Sequence, residues 1–516
     1  MMLENTNRAG ELEAKLRALP GVREAAVFLW KPAEQGHRLV AYLVPDNDYL
    51  DRTLVGADDI TRRIQKWRKT YELTQVGKES SVSQPDFNIL GWNSSYTRLL
   101  IPEEEMREWV GVTTQEIARS EPSEVLELGC GVGLLLLRLA RQCKRYVGVD
   151  NAPAVLQALK RQMHQLGGEW NQVELLERAA DHFDGFGANS FDTVILNSVA
   201  QYLPSLGYLV GILEKAVRVV KPGGRIFLGD LRSLPLERPF AASVELFQAS
   251  AAMTIAELRE RVRKRIQFDE QLVLSPALFL ALRQRWPEIS RVELHPRRGR
   301  FENEMNRYRY NAILHVGAAP AKQLKPEWFP WRPTEMTLES LAIALERQTP
   351  ELLGFTNVPN RRVAKDVLAF DKLQTRRGSE TVESFKMEIA GAAEYGVDPQ
   401  DFSSLADKSD YDVQISWAAS RADGSYDVLL HRKGRSAAPH AVDVAWPEPA
   451  VIHADLDAYA SAPMRAIPLE RFRNQLRRYC EQNLPETMRP LDIILLNAIN
   501  LAPDGKPDRP ALPMPD

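Results

Sequence analysis

From Glu124 onward, short apolar runs alternate with helical segments, and this alternation constrains the fold more than any other feature of the sequence. The apolar runs are EVLELG, YVGVD, VELLE, FDTVILN and GGRIFLGD. The segments between them are LLLLRLARQC, APAVLQALKRQMHQL and YLVGILEKAVRVV. Strands that alternate with helices predict a doubly wound α/β domain with a mostly parallel sheet. Two later runs, VELHPR and YNAILHV, are expected to complete that sheet as a strand pair.

Length and composition exclude several classes of protein. A chain of 516 residues is expected to form more than one domain, because one core rarely exceeds about 250–300 residues. A net charge of −3 argues against a nucleic-acid partner, and the sequence has neither an apolar run of membrane-spanning length nor a signal peptide. Three cysteines are too few for a disulfide framework or a cysteine-based zinc site. We therefore expect a cytoplasmic protein with no membrane partner and no metal.

A glycine-rich loop follows the first of these strands and carries the strongest chemical signal. It has Glu127, then Gly129, Gly131 and Gly133 at alternate positions. Glycine permits sharp turns and a close approach of backbone to a ligand, and a helix N-terminus behind the loop offers free N–H groups. The next strand ends in Asp150, where a carboxylate is placed to accept hydrogen bonds from both hydroxyls of a ribose. A dinucleotide site is the alternative, although its usual spacing is G-x-G-x-x-G.

Together these features resemble the S-adenosylmethionine site of class I methyltransferases, which implies S-adenosylmethionine as the cofactor. By the same resemblance, Asp181 and His182 follow the third strand, where such enzymes contact adenine. Asn197 ends the fourth strand and is expected to face the methionine part of the cofactor. The predicted cofactor-binding residues are Glu127, Gly129, Gly131, Gly133, Asp150, Asn151, Asp181, His182 and Asn197.

Six further motifs, in order, resemble the methyltransferase domain embedded in nonribosomal peptide synthetases. They are FNILGWNSSYT, IPEEEMREW, VLELGCGVGLLLLRLA, LNSVAQYLP, GDLRSLPL and RGRFENEMNRYRYNAILHV. The resemblance covers roughly residues 60–435. It implies a helical lid region over 51–120, a cofactor-binding core over 121–318 and a C-terminal extension over 319–445. Within that extension, the prolines of 318–350 predict a loop or linker.

In that family, the methyltransferase domain interrupts the small α+β C-terminal subdomain of an adenylation domain. Residues 1–50 and 446–516 resemble the two pieces of this subdomain, and the second piece includes the loop with the adenylation lysine, Lys506. The large adenylation subdomain would precede residue 1. We therefore expect that the chain does not activate an amino acid by itself, and that Lys506 would act only with a separate large adenylation subdomain.

The resemblance also implies an acceptor and a set of acceptor-site residues. The expected substrate is an aminoacyl thioester on the phosphopantetheine arm of a carrier protein, methylated on nitrogen. An amine needs only to be neutral, whereas a hydroxyl needs a general base, and no histidine stands out as a base. Gln201, Tyr202 and Asp230 are the catalytic candidates. The substrate candidates are Trp92, Asn93, Tyr96, Arg232 and Glu304, with Arg307 on the same late loop.

Other functions remain open from the sequence. Related domains methylate oxygen or carbon, so a carrier-bound or free amino or hydroxy acid is an alternative acceptor. A second alternative is a non-catalytic docking module or a half-adenylation partner of a split synthetase. A third is a stand-alone methyltransferase for small molecules.

Overall fold

The computed structural model describes residues 2–30, 38–75, 84, 86–317, 323–391, 395–433, 443–496, 499, 507–508 and 512. The strands are β1 Val22–Trp30, β2 Arg38–Pro45, β3 Glu124–Leu128, β4 Arg145–Asp150, β5 Val173–Glu177, β6 Phe191–Asn197, β7 Val220–Arg232, β8 Ile289–Pro296, β9 Arg309–Val316, β10 Gln323–Leu324, β11 Trp328–Pro330, β12 Leu352–Val358, β13 Tyr411–Ser416, β14 Tyr426–Arg432, β15 Asp443–Val444 and β16 Asp492–Leu495.

The helices are α1 Met2–Arg17, α2 Asn47–Leu54, α3 Ala57–Gln75, α4 Glu103–Ala118, α5 Leu136–Leu139, α6 Pro153–Leu166, α7 Leu206–Val219, α8 Glu237–Gln248, α9 Ile255–Gln267, α10 Ala277–Arg285, α11 Glu304–Tyr308, α12 Leu338–Gln348, α13 Arg361–Thr375, α14 Val382–Ala390, α15 Pro399–Asp407 and α16 Ala466–Asn483. No helix in the described part of the chain is both long and apolar enough to cross a membrane. The chain divides into two compact units, residues 1–63 with 463–516 and residues 64–462.

The larger unit is built on a sheet with the strand order β5-β4-β3-β6-β7-β9-β8 among the described residues. Strands β3 to β7 pair in parallel, and β9 pairs antiparallel with both β7 and β8. The predicted doubly wound α/β fold with a mostly parallel sheet is confirmed, as is the closing strand pair. The strand order reverses beside β3, and parallel sheets bind ligands at the carboxyl ends of the strands at such a switch point.

Both faces of this sheet are covered by helices. Successive residues of one strand enter different cores: Leu126 packs with α7, and Val125 packs with α6. This alternation follows from the two-residue period of a strand. Helix α7 buries Leu209 and Leu213, which are spaced for one helix face. The carboxyl ends of the strands are therefore held at a fixed edge by cores on both sides.

A second sheet in this unit has the order β11-β12-β14-β13. It lies in the region after residue 318, where the prolines predicted a loop or linker over 318–350. That prediction is wrong for the described part, since β11 pairs with β12 and α12 begins at a capping box on Thr337. Pro330 is tolerated because β11 is an edge strand, where a missing N–H breaks no ladder.

The smaller unit joins the two ends of the chain. Strands β1 and β2 are antiparallel, and β16 pairs in parallel with β2. Helices α1 and α16 cover one face of this sheet, with Leu12, Leu16, Phe472 and Leu476 in a shared core. Neither terminal segment has enough apolar surface to form this core alone.

The unit boundaries differ from the predicted 50 and 446. Residues after 50 stay with the smaller unit because Arg471 of α16 forms a two-point ion pair with Asp59, at 2.6 and 2.8 Å. Residues 446–462 stay with the larger unit, where the Ser461 N–H donates to the Val273 carbonyl at 2.9 Å. Lys506 lies outside the described residues.

Candidate active site

A cavity of about 940 Å³ opens at the carboxyl ends of β3, β4 and β6. Ligand pockets usually measure roughly 300–1,000 Å³, so this cavity lies at the upper end of the usual range. Its lining combines aromatic rings, carboxylates and arginines from elements far apart in sequence. Among the described residues there is no group of three or more histidine, cysteine or acidic side chains arranged to hold a metal ion.

The glycine-rich loop forms one wall of this cavity, and its backbone requires glycine. Gly129, Gly131 and Gly133 have φ angles of 78°, 52° and 80°, in the left-handed region that favours glycine. A Cβ on Gly129 would lie 2.4 Å from the Val199 side chain, and one on Gly131 would lie 2.4 Å from the Tyr71 hydroxyl. Gly129 and Gly131 line the cavity, whereas Gly133 lies deeper in the loop. Glycine is therefore required at these two positions by the backbone conformation and by the packing of Val199 and Tyr71 against the loop.

Asp150 faces the same cavity from the end of β4. Its carboxylate accepts hydrogen bonds from the N–H groups of Gly131 and Ala152, both at 2.9 Å. Burial raises the pKa of Asp150 above its usual value. Each carboxylate oxygen has two lone pairs, so both oxygens keep acceptor capacity for a ligand. Asn151, the next residue, also lines the cavity.

Glu127 lines the cavity two residues before the first glycine. The Tyr146 hydroxyl donates to its carboxylate at 2.8 Å. Burial nonetheless raises the pKa of Glu127 to about 8, because the charged form loses its hydration. A cation placed beside this carboxyl group would stabilise its charged form.

Two residues at the end of β6 line the cavity opposite the loop. The Asn197 Oδ1 atom is buried and has no hydrogen-bond partner among the described residues. Buried polar atoms are rarely left unpaired, so this atom is available to a ligand. Ser198 adopts a φ of 56° and donates its hydroxyl hydrogen to Asp230 at 2.5 Å.

Asp230 was predicted as a catalytic residue, but it lies behind the cavity wall and is completely buried. Besides Ser198, its carboxylate accepts the Trp109 indole N–H at 3.2 Å and an Arg309 N–H at 2.5 Å. Ser198, Trp109 and Arg309 all line the cavity. Asp230 therefore positions three lining side chains and does not itself face the cavity.

The other two catalytic candidates are separated by the structure. Tyr202 lines the cavity, and its ring lies against Trp67 with 4.5 Å between ring centroids. Gln201 is buried and is not among the lining residues. Its position differs from the prediction because its backbone carbonyl accepts the Leu272 N–H at 2.9 Å, which turns the residue into the protein interior.

Four of the substrate candidates line the cavity: Trp92, Asn93, Arg232 and Glu304. The Glu304 carboxylate accepts the Ser95 N–H at 2.7 Å and the Ser95 hydroxyl at 2.8 Å, which ties α11 to the loop that carries Trp92 and Asn93. Arg232 forms an ion pair with Asp269 at 2.7 Å.

Two further candidates are placed elsewhere. Tyr96 directs its hydroxyl toward Ser243 at 2.8 Å, away from the cavity. Arg307 pairs with Asp366 and donates to the Arg362 carbonyl at 2.8 Å. Both side chains hold neighbouring elements together.

Asp181 and His182 also lie outside the main cavity. They pair with each other at 3.1 Å, and the His182 side chain is largely exposed. The cavity is lined instead by the preceding residues, 178–180. The predicted adenine contact at Asp181 and His182 stays a prediction, and the residues just before them in the same loop line the cavity.

Comparison with known proteins identifies the domain. Residues 126–226 match the family described as "Methyltransferase domain". This match covers the glycine-rich loop, Asp150 and Asn197. Residues 126–226 form a methyltransferase domain.

Similarity to larger proteins extends over nearly the whole chain. Chondramide synthase cmdD of Chondromyces crocatus is 38% identical over 98% of this chain and 13% of its own length. Cyclosporin synthetase simA of Tolypocladium inflatum is 27% identical over 97% of this chain and 3% of its own length. The chain thus spans a small part of these relatives. The predicted resemblance to the methyltransferase domain of nonribosomal peptide synthetases is confirmed.

A solved structure is also similar to part of the chain. The N-methyltransferase NodS from Bradyrhizobium japonicum WM9, in complex with S-adenosyl-L-homocysteine, is 14% identical, with a TM-score of 0.28. The similarity covers 48% of this chain and 97% of NodS.

The residues around the cavity fit S-adenosylmethionine, the cofactor predicted for this methyltransferase domain. Gly129 and Gly131 line the cavity, so their backbone can contact a ligand there. Asp150 keeps acceptor capacity for hydroxyl groups, and the Asn197 Oδ1 atom lacks a partner among the described residues. Glu127 is a buried carboxyl group suited to a cationic amino group. With the family match, these features confirm the prediction of the cofactor.

Several lining residues were missed as site residues by the sequence analysis, most clearly Trp67 and Tyr71 of α3. They are four residues apart and therefore share one face of the helix, which is a signal that the sequence contains. Trp109 and Arg309 carry no comparable signal. Their role depends on Asp230, which lies on a different strand.

Proposed function

We propose that this chain N-methylates an aminoacyl thioester bound to a carrier protein, as the S-adenosylmethionine-dependent methyltransferase part of a nonribosomal peptide synthetase. One observation carries the proposal. The cavity that contains Gly131 and Asp150 also contains Trp92, Arg232 and Glu304, so cofactor-type and acceptor-type residues share one enclosed space. Similarity over 98% of this chain to part of chondramide synthase, and to part of the probable nonribosomal peptide synthetase CymA, supports the assignment to peptide synthesis.

The cofactor half of the site binds and orients S-adenosylmethionine. When bound, S-adenosylmethionine supplies a methyl group on a sulfonium, which is electrophilic without further activation. In this proposal, Asp150 accepts hydrogen bonds from the ribose hydroxyls and Glu127 pairs with the amino group of the methionine part. Asn197 offers its unpartnered oxygen to the same ligand. The protein's task is then to hold the nucleophile at attacking distance and to exclude water.

An amine acceptor suits the other half of the cavity. None of the described lining residues is a histidine, and the nearby Asp230 is already bound to Arg309. A neutral amine nitrogen needs no base before it attacks, because its lone pair is free and its proton can leave afterwards to solvent. A hydroxyl acceptor would require a general base, and no histidine among the described lining residues supplies one.

Mass spectrometry of a loaded carrier protein tests this proposal directly. A carrier bearing an aminoacyl thioester is incubated with this chain and the cofactor, and a matched carrier bears the corresponding hydroxy acid. We expect a gain of one methylene mass on the aminoacyl carrier only, with fragmentation placing the methyl group on nitrogen. Transfer only to the hydroxy acid, or to carbon, would replace the proposal by O- or C-methylation. Equal rates with a free amino acid would favour a stand-alone methyltransferase.

A second function is favoured by the smaller unit. Its β1-β2-β16 sheet joins the two chain ends into a compact unit of its own. We propose that this unit is the C-terminal subdomain of an adenylation domain, available to a separate large subdomain. Pyrophosphate exchange by the two chains together, abolished by Lys506→Ala, would support this role. If calorimetry detects no binding of S-adenosylmethionine, only this docking role remains.

A further inference from the structure

Helix α9 places three basic residues at the rim of the cavity. Arg261, Lys264 and Arg265 line it, and Lys264 and Arg265 lie three and four residues after Arg261, so both are neighbours of Arg261 on the helix surface. The Lys264 side chain is 60% exposed, which places its ammonium group where the cavity meets solvent. Phe268 lines the same rim and is also exposed.

The positive charge of this rim is only partly neutralised. Arg261 and Arg265 both donate through Nε to a single buried carboxylate, Glu245, at 2.6 and 2.7 Å. Among the described residues, the terminal nitrogens of these two guanidinium groups make no hydrogen bond. Lys264 lies 3.6 Å from Glu260, and that carboxylate also pairs with Arg263 at 2.5 Å. Glu245 is therefore shared by the two rim arginines, and Lys264 shares Glu260 with Arg263, which lies outside the cavity.

Two acidic residues that follow α9 in the cavity lining, Asp269 and Glu270, are already paired with other cations. Asp269 is paired with Arg232 at 2.7 Å, and Glu270 with Lys66 at 2.8 Å. Each of these carboxylates has its own cation. The excess positive charge is thus concentrated on one face of α9.

We propose that Arg261, Lys264 and Arg265 bind the phosphodiester of the phosphopantetheine arm that presents the acceptor. This inference rests on the proposed function. Guanidinium groups offer paired N–H donors that match phosphate oxygens, and Glu245 fixes both groups through Nε while leaving their terminal nitrogens to a ligand. The exposed ring of Phe268 offers an apolar contact for the arm beside its phosphate.

Calorimetry with two probes tests the site without methyl transfer. Phosphopantetheine and pantetheine differ only in the phosphate, and each is titrated into the full chain loaded with S-adenosylmethionine. We expect phosphopantetheine to bind roughly tenfold more tightly, because a charge-assisted hydrogen bond contributes this much or more. Equal affinity for the two probes would overturn the inference. Titration with inorganic phosphate distinguishes the source, since millimolar competition would show that any free phosphate satisfies the site.

Substitutions on α9 then locate the phosphate. Lys264→Gln changes an exposed side chain. It is expected to remove about half of the preference for phosphopantetheine over pantetheine, measured as the logarithm of the affinity ratio. The double variant Arg261→Gln/Arg265→Gln is expected to remove the rest. Arg263→Gln is the matched control, because Arg263 pairs with Glu260 and Gln267 and does not line the cavity. An unchanged preference in Lys264→Gln, or an equal loss in the control, would contradict the assignment.

The aminoacyl thioesters of both probes separate this inference from the proposed function. If both are methylated with the same KM, the phosphate site is wrong and the methyltransferase proposal stands. If phosphopantetheine binds preferentially but neither thioester is methylated, the phosphate site stands and the proposed acceptor is wrong.

Discussion

The cavity has a proposed cofactor half and a proposed acceptor half, and the two are built in different ways. The cofactor half comes mainly from one continuous stretch, residues 127–151, in which strand ends and a glycine loop determine the geometry. The acceptor half combines side chains from segments more than 200 residues apart, such as Asn93 and Glu304. One half thus depends on the backbone of a single stretch of sequence, and the other depends on side chains that the fold brings together. The comparison suggests that substitutions should affect the two halves independently, except where one residue supports both.

Asp230 is the residue that supports both halves, so its substitution should have the largest effect. Asp230→Asn removes the charge opposite Arg309, whose side chain is 14% exposed. An uncompensated buried charge costs about 3–5 kcal/mol of unfolding free energy. Urea unfolding followed by tryptophan fluorescence measures this loss in the larger unit, because Trp30 is the one tryptophan outside residues 64–462.

A double substitution provides the control for Asp230. Asp230→Asn with Arg309→Met removes both charges and is expected to recover part of the lost stability. A loss below about 1 kcal/mol in the single variant would mean that Asp230 does not hold the two halves together.

Asp150 tests the cofactor half alone. Asp150→Ala should weaken S-adenosylmethionine binding at least about a hundredfold, since two hydrogen bonds to a charged acceptor contribute about 3 kcal/mol or more. Calorimetry measures the affinity, and circular dichroism checks the fold because the Gly131 and Ala152 N–H groups also lose their acceptor. His182→Ala is the matched control and should leave the affinity unchanged. Equal losses of cofactor affinity in both variants would support the adenine contact that the sequence predicted at Asp181 and His182.

The contrast between the halves explains what the sequence was able to predict. Gly129, Gly131, Asp150 and Asn197 were predicted to bind the cofactor, and the structure brings all four to one cavity because strand ends and glycine spacing fix backbone position locally. Asp230 was predicted as catalytic because it ends a strand at the same edge. The sequence does not show that its left-handed backbone, with φ of 61°, accompanies a fully buried side chain.

The acceptor half shows what the sequence could not predict. Motif resemblance brought Trp92, Asn93 and Glu304 to the correct cavity, but it gave no means of separating them from Tyr96. That distinction depends on where Ser243 and Tyr308 lie, and both are more than 140 residues away in sequence. Long-range side-chain packing of this kind leaves no periodic signal in a single sequence.

The pH dependence of cofactor binding tests Glu127. In the free protein its pKa is raised from 4.5 to about 8, so the folded state holds a proton that the unfolded state releases. Its contribution to stability is present below pH 4.5 and is lost as the pH rises through about 8. A cationic ligand group favours the ionised form. Cofactor affinity should therefore rise up to about tenfold per pH unit between pH 6 and 8 and then level off.

Two substitutions identify Glu127 as the titrating group. Glu127→Gln should remove the pH dependence over this range. Tyr146→Phe removes the hydroxyl that donates to the carboxylate, so the pKa should rise further and the plateau should move to higher pH. A flat affinity profile in the unmodified protein would mean that the carboxylate does not meet a cationic group.

Glu304 tests the acceptor half alone and should have the smallest effect. Glu304→Gln keeps the shape of the side chain but replaces one of the two oxygens that receive the Ser95 N–H and hydroxyl with a donor. Because a hydrogen bond to a charged group contributes about 1.5 kcal/mol, we expect KM for the acceptor to rise roughly tenfold. The affinity for S-adenosylmethionine should stay unchanged, because Asp150 and the glycine loop lie on other elements. Ser95→Ala, which loses only the hydroxyl bond, should raise KM less. A parallel loss of cofactor affinity in Glu304→Gln would show that the acceptor half also shapes the cofactor half, and the independence inferred from their construction would fail.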